Sequence, residues 1–287
     1  MAYVNERTVN GRTHSYNARA TAISGDLILP VAQSIVPQTH TTLPEEGGYF
    51  SQRAEQYRLE GLISIDASRT HTTGNRSSKP GEGWTTLTTA VVEGLNVMEV
   101  VTADRLVCQI VTEHPLTGYV PRINFLGARF ENLRVAGNPL TIEYDYDVLG
   151  ERSPKDEQYV PSSSSAERLS GAYDYLKGRE TLPTQVRERY NRLSSTLGAP
   201  QEEFECSLVK SVTGTFPGFH IGPVIVVPDF GAVILGKIVV KHEDYKPGTK
   251  TPKKTTVTLT MLDFHFGCTV DGGVTTGTGS TNGSTVP

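Results

Sequence analysis

Cysteine is scarce in this chain: three residues among 287, at Cys108, Cys206 and Cys268. They are far apart and odd in number, so at least one thiol stays unpaired within a monomer, and no C-x-x-C spacing points to a zinc knuckle. Cys206 sits on the apolar parity of Phe204-Glu205-Cys206-Ser207-Leu208 and reads as a small buried hydrophobe. Long apolar runs are also missing, so no membrane insertion is expected. Met1 to Arg7 has no apolar leader core, which is the pattern of a cytoplasmic protein or of one whose leader has been removed. Charge of one sign is missing too. The formal net charge is -4 and basic residues form no stripe, which excludes the electrostatic footprint of nucleic-acid binding. Hydrophobic residues make up 37%, low for a globular protein, and there is a single tryptophan.

What is abundant is threonine, glycine and serine in short alternating runs, the signature of strands with one wet face. Ala18 to Ile23 and Leu27 to Val36 read as strands, with Pro30 marking an edge or bulge. Tyr57 to Asp66 alternates apart from Gly61 and Leu62, and His71 to Gly83 reads as a polar hairpin tip. Thr85–Val92, Val97–Ala103, Arg105–Thr112, Asn124–Val135 and Leu140–Tyr146 follow as strand candidates. After residue 203 come Phe204–Val212, Ile221–Val227, Ala232–Val240 and Thr255–Phe266. Apolar residues fill Val224 to Val240 on both parities, which predicts strands covered on both faces. Turn signals every 8–12 residues or so predict an antiparallel β-sandwich or barrel-like domain.

The period changes once. Ser164 and Glu167 fit a capping box before Leu169, Ala172, Tyr173 and Leu176, and a second helix opens near Pro183 with Val186, Tyr190, Leu193 and Leu197 as its stripe. The predicted organisation is a polar arm at 1–17, one β domain from 18–147 and 203–270, an inserted helical hairpin at 151–200, and a Gly/Thr-rich tail at 271–287. That tail reads as a linker, or as an arm that orders on a partner and donates a strand to a second copy.

The segment Phe125-x-Gly127-x-x-Phe130-x-Asn132-Leu133-x-Val135-x-Gly137-x-Pro139 resembles a signature of bacterial surface proteins of the choice-of-anchor type, P type. Leu43-Pro44-x-x-Gly47-Gly48, Val101-Thr102-Ala103-Asp104, Val227-Pro228-x-Phe230-Gly231 and Thr260-Met261-Leu262 follow that family's order. The resemblance implies an extracellular or envelope location and a surface or matrix role, and carries no catalytic residues.

Candidate chemistry is thin. Glu143, Asp145 and Asp147 would share one face if Glu143-Tyr144-Asp145-Tyr146-Asp147 were a strand, and could then hold calcium through oxygen ligands. The alternative is a charged edge strand. His265 and Cys268, with Cys108 and Cys206, lack zinc-site spacing. Ser207 and Lys210 match S-x-x-K but lie on an alternating strand, where residues three apart face opposite ways. Trp84 with Tyr49, Tyr57 and Tyr119 would make an aromatic platform for a glycan, or else serve as core anchors. The expectation is a non-enzymatic structural or interaction protein without cofactor, calcium aside, forming a homo-oligomer or polymer. A carbohydrate-binding module is the alternative, and a calcium-dependent adhesion domain or a hydrolase using Asp145 and Asp147 the third class.

Overall fold

The computed structural model describes residues 7–29, 32–59, 61–176, 202–243, 253–267 and 271–286, with isolated positions between 179 and 191. The chain opens with β1 (Thr8–Val9) and β2 (Arg12–Ser15), then β3 (Ala18–Leu29), β4 (Gln33–Leu43), β5 (Gly48–Leu59), β6 (Ile63–Arg76), β7 (Glu82–Val97) and β8 (Val101–Pro115). Short strands follow: β9 (Arg122–Asn124), β10 (Arg129–Glu131), β11 (Arg134–Val135), β12 (Asn138–Pro139) and β13 (Thr141–Tyr144). Helix α1 (Ser163–Leu176) precedes β14 (Glu203–Ser207), β15 (Val209–Thr213), β16 (Phe219–Ile221) and β17 (Val224–Val227). The chain closes with β18 (Gly231–Glu243), β19 (Lys254–Gly267), β20 (Asp271–Thr281) and β21 (Ser284–Val286).

Two antiparallel sheets face each other as a sandwich, as expected. The first has 11 strands, with β4, β3, β20, β19, β18, β17 and β16 across its width and β2 and β21 continuing the lines of β3 and β20. The second has 8 strands in the order β5, β6, β7, β8, β11, β12, with β9 and β10 also on β8. A two-stranded ribbon, β13 with β15, stands apart.

Several sequence boundaries move. Tyr57 to Asp66 is a hairpin, because Gly61 and Leu62 form a turn closed by the Leu62 amide on the Leu59 carbonyl. His71 to Arg76 is strand rather than hairpin tip, its threonines paired with Trp84 to Thr89. The three strands expected between Thr85 and Thr112 are two long ones, β7 and β8. Helix α1 begins at Ser163, with the Ala166 amide on the Ser162 carbonyl, so its cap is Ser162, two residues ahead of the expected Ser164. In the second helix Thr184, Val186 to Glu188 and Asn191 are helical; Tyr190, Leu193 and Leu197 lie outside the described residues.

The tail differs most. Asp271 to Thr281 is a strand inside the first sheet, paired with β19 on one side and β3 on the other. It is therefore part of the β domain of its own chain rather than a separate tail. Its glycines answer crowding rather than flexibility: a Cβ on Gly279 would lie 3.1 Å from both Cys108 Sγ and Thr88 Cγ2 of the opposite sheet.

One feature crosses both sheets. In the second, register places Gln56, Asp66, Gly94, Asp104 and Asn132 side by side, and Gln56, Gly94 and Asn132 have φ of 50°, 63° and 51°. In the first, the row is Thr39, Ala22, Gly277, Met261 and Gly236, with φ of 41° at Thr39, 62° at Gly277 and 56° at Gly236. A left-handed residue on alternate strands creases each sheet, and the inward parity switches there. Ala90 and Val92 give way to Leu95 and Val97; Val101 and Ala103 to Leu106, Cys108 and Ile110; Leu259 and Met261 to Leu262 and Phe264.

The crease divides the interior. On one side Ile63, Leu95, Val97, Leu235, Leu262 and Phe264 form an aliphatic and aromatic core. On the other, fully buried Thr70, Thr72, Thr86 and Thr88 of the second sheet stand in a layer with small residues such as Ala18, Ala20 and Gly279 of the first. The hydroxyls of these four threonines have no hydrogen-bond partner among the described residues.

Two outcomes follow from this arrangement. Gly94→Ala puts a Cβ into the Asp66 carboxylate at a left-handed position and is expected to cost about 2 kcal/mol or more, read by urea denaturation. Thr88→Val removes an unsatisfied hydroxyl at equal shape and is expected to stabilise by about 1 kcal/mol, a gain of roughly 2–4 °C in Tm by calorimetry.

Candidate functional site

The acidic run does not form a row of carboxylates. Strand β13 ends at Tyr144, so Asp145 and Asp147 enter a turn, closed by the Gly150 amide on the Asp147 carbonyl. Glu143 is held by Lys210 and by Ser211 at 3.0 Å, and these hydrogen bonds draw its carboxyl below the usual range. Asp145 pairs with Arg168 of α1, fastening the helix to the ribbon. No group of three potential metal ligands converges among the described residues. The intervening tyrosines brace the loops: the Tyr144 hydroxyl accepts the Phe130 amide at 2.7 Å, and burial pushes its pKa up to about 12.

The aromatic platform does not assemble either. Trp84 is fully buried, in a cluster with Tyr16, Ala18 and Leu43, and its ring stacks on His14 at 4.9 Å. Tyr49 stands at the start of β5, 66% exposed, with its ring against His71. Tyr57 lies near the far end of β5, half-buried. Tyr119 sits in the loop after β8 under the Arg12 guanidinium. Trp84 is thus a core anchor, placed there because the strand it opens points even-numbered residues inward below the crease.

Ser207 donates to the Leu235 carbonyl and accepts the Val209 amide, while Lys210 reaches Glu143. The serine therefore works as a backbone brace where β14 turns into β15. Cys108 and Cys206 are buried thiols whose pKa burial pushes up. Cys268 lies outside the described residues. His265 leans on Asp263, which also holds Lys237 at 2.5 Å. Burial opposes that carboxylate, but its partners His265 and Lys237 outweigh it and hold it below the usual range.

A cleft of about 800 Å³ lies between Arg179, Glu180, Leu182 and Thr184 and the end of the first sheet, floored by Leu182, Phe219, Val226 and Phe266. Two of its polar groups are engaged: Arg179 stacks on Tyr175 at 3.7 Å, and the Asp271 carboxylate takes the Gly272 amide at 2.8 Å. They do not converge on its floor.

The remaining candidate is a margin rather than a cleft. Strands β4 and β5 are the edges of the two sheets and run side by side beyond the turn at 44–47, where Gln52 Oε1 accepts the His40 amide at 2.9 Å. Among the described strands β5 pairs only with β6, and most of its 12 residues are exposed, Phe50 at 43% among them. Ile28, Leu29 and Val36, beside the β3–β4 connection, add exposed apolar surface, Val36 at 68%. Sequence reasoning missed this edge because the alternation of Tyr57 to Asp66 hid the turn that creates it.

The family model described as a domain of unknown function (DUF8256) matches residues 14–241, more than half of the chain. No curated protein and no solved structure matches.

The position of the single tryptophan is directly measurable. Its emission is expected at short wavelength with little quenching by iodide, and Trp84→Ala is expected to cost about 3–5 kcal/mol in denaturant melts. Strong iodide quenching in the folded protein would refute the buried placement.

Proposed function

We propose a non-enzymatic structural or interaction role for this chain, which belongs to the DUF8256 family, exercised through self-association at the β5 edge. The observation that carries this reading is the long exposed edge itself: an unpaired row of backbone donors and acceptors is a template for another strand. The edge is also self-complementary. In an antiparallel pairing of two copies centred on Ala54, Arg53 of each faces Glu55 of the other, and Tyr49 faces Leu59. Opposite charges set directly across a strand pair contribute about 0.2–1 kcal/mol each, so they select the register while backbone pairing supplies most of the affinity. A two-fold contact of this kind closes as a dimer, and longer assemblies then need a second surface, for which Ile28, Leu29 and Val36 are placed. The motif Phe125 to Pro139 supports placing this work at the bacterial surface.

Light scattering across a wide concentration range tests the reading. Wild type is expected to dimerise, Arg53→Glu or Glu55→Arg to weaken the dimer at least tenfold, and the double exchange to restore it. A wild type that stays monomeric at high concentration sinks the proposal.

A further inference from the structure

The two ends of the chain meet around a pair of histidines. His14 on β2 is buried, with Nδ1 3.0 Å from the Thr285 hydroxyl of β21. Its ring stacks on Trp84 of β7 at an interplanar angle of 11°, meets Tyr16 edge-on at 4.7 Å, and lies 4.5 Å from the ring of His114 on β8. His114 is buried as well, and the Nε2 atoms of both rings have no hydrogen-bond partner among the described residues. Gly283 fits between them: a Cβ there would stand 2.8 Å from His14 Nε2 and 3.0 Å from His114 Nε2. The first sheet supplies His14, Gly283 and Thr285, and the second supplies Trp84 and His114. The cluster therefore clamps β2 and β21, the terminal strands, onto the opposite sheet.

Among the described residues, the charges that bear on the two rings are positive: Arg7 and His114 on His14, and Arg152 on His114. From the N-terminal side Arg7 donates to the His14 carbonyl and pairs with Glu46 at 3.7 Å, and Ser15 engages Glu45. From β8 and the loop beyond, Glu113 is taken by Lys79, and Arg152 bears on His114 as a second positive charge. On β7, Glu82 is raised above the usual carboxylate range by burial and by Glu113, so acid relieves it rather than straining it.

We propose that His14 and His114 form an acid-operated latch: neutral, they hold the two terminal strands on the sandwich, and protonation releases β2 and β21 while the long central strands stay paired. Burial first, then the neighbouring positive charges, lower the pKa to about 2 for His14 and about 3 for His114. The sign follows directly. A released imidazole takes a proton near pH 6.5 and a latched one does not, so the closed state is fully favoured above that pH and loses ground as pH falls below it. Each pH unit below about 6.5 raises the opening constant about tenfold for each ring released, hence up to about 10⁴-fold at pH 4.5 for both. The Asp263 carboxylate acts only below its own ordinary value of 3.8, whereas His242 and His71, also lowered by burial, lie in the latch's window and are told apart by which segments lose protection.

Amide hydrogen exchange by mass spectrometry, corrected for intrinsic rates, reads the latch from pH 7.5 to 4.5. Segments 8–15 and 284–286 are expected to lose protection at least a hundredfold, and 86–92 and 106–112 to keep theirs. Trp84 emission, against the His14 ring, should fall in the same window. His14→Asn, which retains a donor near Thr285, and His114→Gln should each halve the pH slope. Should these variants not fold, the wild type still decides through assigned imidazole proton shifts: His14 and His114 must titrate together with strand release. Flat protection in wild type overturns the latch. So does release with both rings still neutral, or with an unchanged midpoint in a folded variant.

Discussion

Everything in this sandwich depends on the crease. A strand of 13 or 14 residues with strict alternation would present one face throughout, but β18 and β19 need Val233, Leu235, Phe264 and Phe266 inward at one end and Ile238, Val240, Val257 and Leu259 inward at the other. One left-handed residue per strand pair makes that switch. It must occur in neighbouring strands at the same level, since a strand that failed to switch would bury its polar face. The non-glycine positions Thr39, Gln56 and Asn132 each cost about 1–2 kcal/mol of backbone strain. Local contacts offset part of that: Asn132 donates to Asp104 at 2.6 Å. The Asp66 carboxylate packs over Gly94, where no side chain fits.

The crease also explains what could and could not be seen in the sequence. Alternation revealed strands on either side of it, and the all-β class with one helical excursion follows from residues alone. At the crease the parity slips, which in one dimension looks like a turn; hence β7 and β8 read as three strands. Composition misled at the tail for a different reason. Gly272, Gly277 and Gly279 look like linker residues, yet Gly272 lies against the Asp26 carbonyl and Gly279 against the opposite sheet. Close approach of two backbones and flexibility demand the same residue. Likewise nothing local to Trp84 separates a ring in a core from a ring on a surface; burial was decided by Tyr16 and Leu43, distant in sequence.

Below the crease, threonines and small residues share the interior with Cys108, Ile110, Ile238, Val240, Val257 and Leu259. Threonine suits a strand, and opposite alanine or glycine it fits a thin sandwich that leucine would overfill. The cost is hydroxyls without a partner among the described residues, at the end where β2 and β21 pair. That end relies on ring stacking and on ties such as Arg12, which donates to the Leu116 and Gly118 carbonyls at 2.9 and 2.7 Å, and Asp156, which accepts the Tyr119 and Val120 amides. Aliphatic cores lie on both sides of the crease, and the threonine layer lies toward β2 and β21.

This division bears on where a partner can act. Edges are a liability that proteins blunt by shortening, charging or covering them. Among the described strands, β12 has two residues and ends in Pro139, and β16 has three. Strand β4 is shielded by β5, whose Gln52 takes one of its amides. Strand β5 is left long and uncovered, with Tyr49 and Phe50 exposed, and the kink at Gln56 interrupts it only in its second half. Among the described strands β14 also pairs on one side only, but it has five residues, and the twelve of β5 make it the longest open margin. The crease crosses that edge at Gln56, inside the stretch Tyr49 to Leu59 that the two-fold pairing uses, so the pairing carries the left-handed residue in both copies.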